Sequence, residues 1–215
     1  MVVYGRVKPK RLGARKPTPV SLRLGSRVVT GEGSARIPTL SEFTLEADRH
    51  VAINVRGLPV CRVLGLPVTP PPWTHCERGV VGHGEITVLY SVPPGDPLEM
   101  ESEVAVYNGG IERGVTNLWI RAYFPLPMPN TSLLRLQVRR VADGRYGLEA
   151  KLSVPDLAAG FGSPASFHLI LDKKIVSATC PDGHLDVRGS STFEELTGEV
   201  ELPFTSTTSC TPVSH

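Results

Sequence analysis

Apolar residues recur at every second position through most of this chain, and helical spacing is never sustained over a comparable length. That period puts one side of an extended strand in a core and leaves the other in solvent. Val20, Leu22 and Leu24 alternate with Ser21 and Arg23. Phe43, Leu45 and Ala47 repeat the pattern, and so do Val51, Ile53 and Val55. Ile86, Val88 and Tyr90 follow, then Leu118, Ile120, Ala122 and Phe124. Phe167, Leu169 and Leu171, and finally Val200, Leu202 and Phe204, complete the series. The 20 prolines and 21 glycines break the chain too often for long helices. A disordered chain of that composition would lack the alternation. The pattern predicts an all-β protein, a single antiparallel β-sandwich or flattened barrel of about 10–12 short strands.

Residues 1–16 are expected to form a basic N-terminal arm or first edge strand, and residues 17–215 a single β-sandwich domain. No stretch reads as an interdomain linker. The proline run from Pro67 to Pro72 is the nearest candidate, but it lies between Cys61 and Cys76.

The clearest hairpin spans residues 134–154. A two-residue turn at Asp143-Gly144 would set Val138 against Glu149, an apolar residue against an acid. A slip of one residue inverts every face, so that register is rejected. Two loops restore agreement. Ala142-Asp143-Gly144 pairs Val138 with Leu148, whereas Asp143-Gly144-Arg145 pairs Arg139 with Glu149. Tyr107-Asn108-Gly109-Gly110 reads as a second turn, ahead of a strand beginning near Val115.

Cys61, Cys76, Cys180 and Cys210 fall into two clusters, and none belongs to a C-x-x-C pair. Four cysteines allow three connectivities. The local one, Cys61–Cys76 with Cys180–Cys210, is expected because each pair brackets a turn-rich segment. Two disulfides place the protein outside a reducing cytosol. Met1-Val2-Val3-Tyr4 leads into charge rather than an apolar run, so a signal peptide is expected to have been trimmed or missed at the start codon. No apolar window is long enough for a transmembrane helix.

Arg6, Lys8, Lys10, Arg11, Arg15, Lys16, Arg23 and Arg27 all precede the first acid. Setting those eight aside from the 23 basic residues leaves 15 against 21 acids, a balance of −6. A basic arm on an acidic body suits an anionic cell-surface polymer. The simpler reading is a solvated edge strand whose charges discourage pairing with other chains. Nucleic acid is not expected, because stacking aromatics should interleave with the bases and the arm has only Tyr4.

No catalytic, cofactor or metal site is expected. Cys61, His75, Cys76 and His83 are zinc-ligand types, but adjacent His75-Cys76 chelates poorly. His83 lies between Gly82 and Gly84, where a strand-start bulge is expected; His168 and His184 pair with no nucleophile. Glu99, Glu101 and Glu103 share one strand face, which suits a solvated surface better than the flanking carboxylates of a glycosidase. Asp182 and Asp186 miss the spacing of a calcium loop. G-x-S-x-G, G-x-G-x-x-G and P-loop motifs are absent, and Gly162-Ser163-Pro164 is no nucleophile elbow. Asn130-Thr131-Ser132 is a formal glycosylation sequon expected in a surface loop. Trp119 and Tyr123 lie opposite Leu118, Ile120 and Phe124, so that strand is apolar on both faces and expected to be central.

Arg56-Gly57-Leu58-Pro59-Val60-Cys61, Tyr107-Asn108-Gly109-Gly110, Gly144-Arg145-Tyr146-Gly147 and Cys180-Pro181-Asp182-Gly183 occur in that order, between an early Pro19-Val20-Ser21-Leu22 and a late Cys210. In order and spacing the chain resembles a family of secreted proteins expanded in soil actinobacteria, over about residues 3–211. The resemblance implies an extracellular compartment and a signal peptide ahead of Val3-Tyr4-Gly5. It implies no activity, since the family has none assigned. Residues between Cys61 and Cys76 depart from it, being proline-rich where relatives are rich in alanine and lysine. The expectation is a secreted or cell-surface, non-enzymatic β-protein with a binding or structural role. An extracellular hydrolase of polysaccharide or ester, and a carrier of an apolar ligand between the sheets, are the alternatives.

Overall fold

The computed structural model describes residues 2–28, 38–62, 76–90, 98–125, 129–154, 157, 162–172, 174–195 and 198–213. The proline run Pro67–Pro72 and His75 lie outside the described residues. Among the described residues the chain forms sixteen strands and no α-helix. The first eight are β1 (Val2–Lys8), β2 (Arg11–Gly13), β3 (Thr18–Pro19), β4 (Ser21–Arg27), β5 (Thr39–Asp48), β6 (Val51–Ile53), β7 (Val80–Tyr90) and β8 (Leu98–Glu112). The rest are β9 (Val115–Phe124), β10 (Asn130–Asp143), β11 (Tyr146–Ser153), β12 (Gly162–Leu171), β13 (Val176–Ala178), β14 (His184–Glu195), β15 (Gly198–Ser209) and β16 (Thr211–Val213). No helix is long and apolar enough to cross a membrane among the described residues.

Eleven strands form one sheet in the order β1-β4-β12-β7-β8-β9-β10-β11-β5-β14-β15. It curls until it nearly closes, so the expected β architecture takes its barrel form. Inward positions follow the period-2 pattern. Val104 and Val106 on β8, Leu118 and Ile120 on β9, and Leu134, Leu136 and Val138 on β10 are buried in one core. Phe43 on β5 stacks on Phe204 of β15 at 5.5 Å and meets Phe167 of β12 edge-on at 5.7 Å, tying distant parts of the sheet across the interior. β9 pairs on both edges, with β8 and β10, and so lies inside the sheet as expected; its outward Trp119 and Tyr123 are half-buried.

Every pairing in the large sheet is antiparallel. Strand direction therefore alternates, and with eleven strands the first and last point the same way. The closing pair, β1 with β15, would have to be parallel. No ladder joins them among the described residues; a hydrogen bond from Thr208 Oγ1 to the Gly5 carbonyl crosses instead. Just beyond, the two ends of the chain do zip together in parallel, as β2 pairs with β16 through Arg11↔Thr211, Leu12↔Pro212 and Gly13↔Val213.

That end of the barrel carries a cap. β3, β13 and β6 make a small sheet over it, and Leu12, Val20, Ile175 and Val176 are buried beneath. The Cys180–Cys210 disulfide (Cα–Cα 6.2 Å) and a Cys180 N–H bond to the Gly13 carbonyl, 3.0 Å, pin the cap to the β2–β16 seal. Cys61–Cys76 (Cα–Cα 5.6 Å) lies instead on the outer face, over Ala105 and Tyr107 of β8. Both expected disulfides are present.

Several local expectations change. Tyr107-Asn108-Gly109-Gly110 is no turn: β8 runs through it to Glu112, and the chain reverses at Arg113-Gly114. The glycines serve a bulge between Asn108 and Gly110, with Gly110 at φ 85° and Gly109 tucked under the Trp119 ring. Asn108 holds the bulge by donating to the Leu58 and Pro59 carbonyls at 3.1 Å. In the 134–154 hairpin, Arg139 pairs with Glu149, the second of the two registers; near the turn a bulge brings Asp143 opposite Tyr146. The sequon Asn130-Thr131-Ser132 opens β10 rather than a loop, with Ser132 buried on the inward row that Leu134 and Leu136 continue. Val200 and Leu202 keep the inward parity of Phe204 but are each 37% exposed, because β15 is an edge strand.

Candidate functional site

The seam left by an odd number of strands is a groove of about 580 Å³. One wall is β1 with its neighbour β4, carrying Arg6, Lys8, Arg23 and, just past β1, Lys10. The other is the hydroxyl run Ser206 to Ser209 on β15. Within the basic segment, β1 is an edge strand of the large sheet and β2 belongs to the two-stranded seal, with Val7 and Leu12 buried in the core. Alternation along β1 buries Val7 and turns Arg6 and Lys8 outward. Tyr4 lies flat across Gly25, where a Cβ would sit 2.3 Å from its ring. Only glycine at that position lets the aromatic rest on the strand.

Arg6 and Arg23 are directly opposite in the β1–β4 register. Like charges facing each other on one strand pair are destabilising. No acid relieves them: among the described residues no carboxylate lies within 4 Å of Arg6, Lys8, Lys10 or Arg23. The Nε of Arg23 is shielded from solvent and has no hydrogen-bond partner among the described residues. Among the described residues no aspartate or glutamate lines the groove; Asp186 stands behind it, accepting from Thr207 Oγ1 at 2.8 Å.

The acids clustered at the cap end, in contrast, have basic partners. At the cap end, Asp48 is fully buried and accepts from the His50 N–H at 3.0 Å, His50 Nδ1 at 2.7 Å and the Asp186 N–H at 3.3 Å. Arg145 Nη2 stands 3.1 Å from Asp48, while its Nε stands 2.7 Å from Asp186. Neither contact is aligned as a hydrogen bond, so Arg145 acts as a central ion-pair partner. Arg188 donates to Glu46 and Asp143 and covers the Tyr146 ring at 4.3 Å. The hydrogen bond to Glu46, foremost, raises its guanidinium above the ordinary arginine range.

The other residues considered from sequence do not converge. Both cysteine pairs are disulfide-bonded, so Cys61 and Cys76 offer no thiolate to zinc. Asp182 and Asp186 face Arg145, at 3.8 and 2.7 Å. Among the described residues no three His, Cys, Asp or Glu side chains gather as a metal site. Glu99, Glu101 and Glu103 are exposed on the outer face of β8, and Glu103 faces Glu85 of β7. His83 is exposed within β7, a bulge between Val80 and Gly82 preceding it; Gly82 and Gly84 let the β12 backbone come close. Ser163 is buried and donates to the Pro38 carbonyl. Inside the barrel, an apolar cavity between Phe43, Ile86, Val104, Ile120 and Leu169 measures about 90 Å³. A cavity of ~150 Å³ holds one benzene, so this space is too small for an acyl chain.

Sequence reasoning found the basic strand but missed its partners. Arg23 counts among the basic residues but nothing in the sequence places it beside Arg6, and the five consecutive hydroxyl residues from Thr205 to Ser209 were given no role. A Ser/Thr run in a strand pattern offers donors without negative charge, and that was the available signal. No family model matches the chain, and neither the curated proteins nor the solved structures provide a match.

Proposed function

We propose that this is a secreted, non-enzymatic binding protein that holds an anionic polymer along the groove between β1 and β15. The observation that carries the reading is the wall of four bases with no carboxylate within 4 Å among the described residues, whereas the buried Asp48 at the cap end faces Arg145. Two disulfides fit an oxidising compartment, and the resemblance to a secreted family points the same way. A hydrolase is disfavoured by the scatter of its candidate groups, since acid–base chemistry needs them within reach of one substrate atom.

Titration with linear polyphosphate at several salt concentrations tests this. With four bases engaged, and about 0.7 counterions released per contact, log affinity falls with log salt at a slope of roughly −2.8. Affinity then drops about 50-fold between 50 and 200 mM salt. Neutralising Lys8 and Lys10 together flattens the slope to roughly −1.4. Absence of binding at low salt, or a slope unaltered by those substitutions, would exclude the groove. Compartment is tested separately by alkylating the protein from its native source: four reactive thiols would contradict secretion.

A further inference from the structure

We infer that Arg6 and Arg23 form a clamp for a tetrahedral oxyanion, so that the polymer in the groove bears phosphate or sulfate groups rather than carboxylates. This rests on the groove being the anion site proposed above. Arg6 and Arg23 sit opposite one another on adjacent strands, with Cβ atoms roughly 5 Å apart in such a pair. Unoccupied, that arrangement concentrates two positive charges and leaves the Arg23 Nε desolvated without an acceptor. An anion between the guanidiniums relieves both penalties at once.

The directions of the donors distinguish the anion. A carboxylate presents two oxygens in one plane, which a single guanidinium fork satisfies. Here two forks approach from neighbouring strands, while Ser206 and Ser209 line the wall across the groove; Thr208 and Thr207 beside them already donate to the Gly5 carbonyl and to Asp186. Donors from three sides suit an anion whose oxygens point to the corners of a tetrahedron. Outward positions on β1 supply the repeat: Arg6 and Lys8 are two residues apart, roughly 6.8 Å along an antiparallel strand. A flexible chain with one charged group at each such interval meets a base at each step.

The test measures affinity for polyphosphate, dextran sulfate and poly-L-glutamate at one ionic strength, in the wild-type protein and in R23K, R23Q and R140Q. Arg140 is an exposed base on β10, outside the groove. The wild type is expected to prefer polyphosphate or dextran sulfate over polyglutamate at least tenfold, and the tighter of the two identifies the source of the oxyanion. R23K keeps the charge but loses the fork, so it loses that preference while binding polyglutamate as before. R140Q behaves as wild type. R23Q removes one of two facing charges, so without ligand it unfolds at or above the wild-type temperature, and it is no longer stabilised by sulfate.

Equal wild-type affinity for all three polymers, or an R23K variant that retains the preference, overturns the clamp while leaving an anion-binding groove. Unliganded R23Q melting well below wild type also overturns the clamp, since Arg23 would then serve the fold. No binding of any polymer by the wild type overturns the groove itself.

Discussion

Replacing Asp48 with asparagine removes one negative charge from the most enclosed ionic site described in this barrel, and the structure sets the size of the effect. The carboxylate is 0% exposed and faces Arg145 Nη2 at 3.1 Å. It also accepts from the backbone N–H of His50 and of Asp186, at 3.0 and 3.3 Å. An amide fills the same space, but its NH₂ group must point at donors, leaving at least one of them unanswered. Removing one partner of a buried ion pair costs about 3–5 kcal/mol. Arg145, however, is 36% exposed and keeps Asp186 at 2.7 Å, so part of its charge stays compensated. The expected loss is therefore about 2–3 kcal/mol, which for a chain of this length lowers the melting temperature by roughly 4–12 °C. Urea unfolding followed by circular dichroism, with disulfides intact, measures it. Glu112→Gln is the control: its contact with Arg135, 3.4 Å long with Glu112 69% exposed, should cost less than about 0.5 kcal/mol. If Asp48→Asn lies within about 0.5 kcal/mol of wild type, or costs no more than the control, the cap is not held by this ion cluster.

Three further outcomes follow from the same structure. Converting Cys180 and Cys210 to serine costs about 3.5 kcal/mol in the chain-entropy model; it also selectively exposes the amides of Ala14 and Thr211, which bond across the β2–β16 seal, to hydrogen exchange. Converting Cys61 and Cys76 costs about 3 kcal/mol yet leaves those amides protected, so equal exchange in both variants refutes the assigned roles. Gly84→Ala places a Cβ 2.1 Å from the His168 carbonyl and should destabilise far more than Gly144→Ala, whose Cβ meets nothing within 4 Å. At Gly144, with φ 53°, the cost is only the left-handed strain of about 1–2 kcal/mol, and comparable denaturation midpoints for the two variants would contradict this.

The same contrast between local and distant contacts explains what was legible beforehand. Inward faces were readable because they depend on parity alone: Leu118, Ile120, Ala122 and Phe124 are all buried, as their alternation requires. Both disulfides were readable because short loops close cheaply. The bulge at Asn108-Gly109-Gly110 was not, since a glycine that turns the chain and one that admits a tryptophan ring look alike until Trp119 is placed. The candidate site was half legible. Its basic wall is one contiguous segment plus Arg23, but Thr208 and Gly5, which meet across the seam, are 203 positions apart.

By itself, then, the sequence determined that the chain is nearly all β, which side of most strands is apolar, and that its first segment is basic and free of acids. Those properties follow from backbone geometry and residue order, which need no distant partner. Only the tertiary structure decided that β12 enters between β4 and β7, that eleven strands share one sheet, and that the last pair cannot join as the others do. Strand order is set by which distant faces bury each other, and alternation carries no record of it. The groove is a consequence of that count. A basic edge strand became the wall of a cleft because an odd sheet, antiparallel throughout, brings its two edges together running the same way.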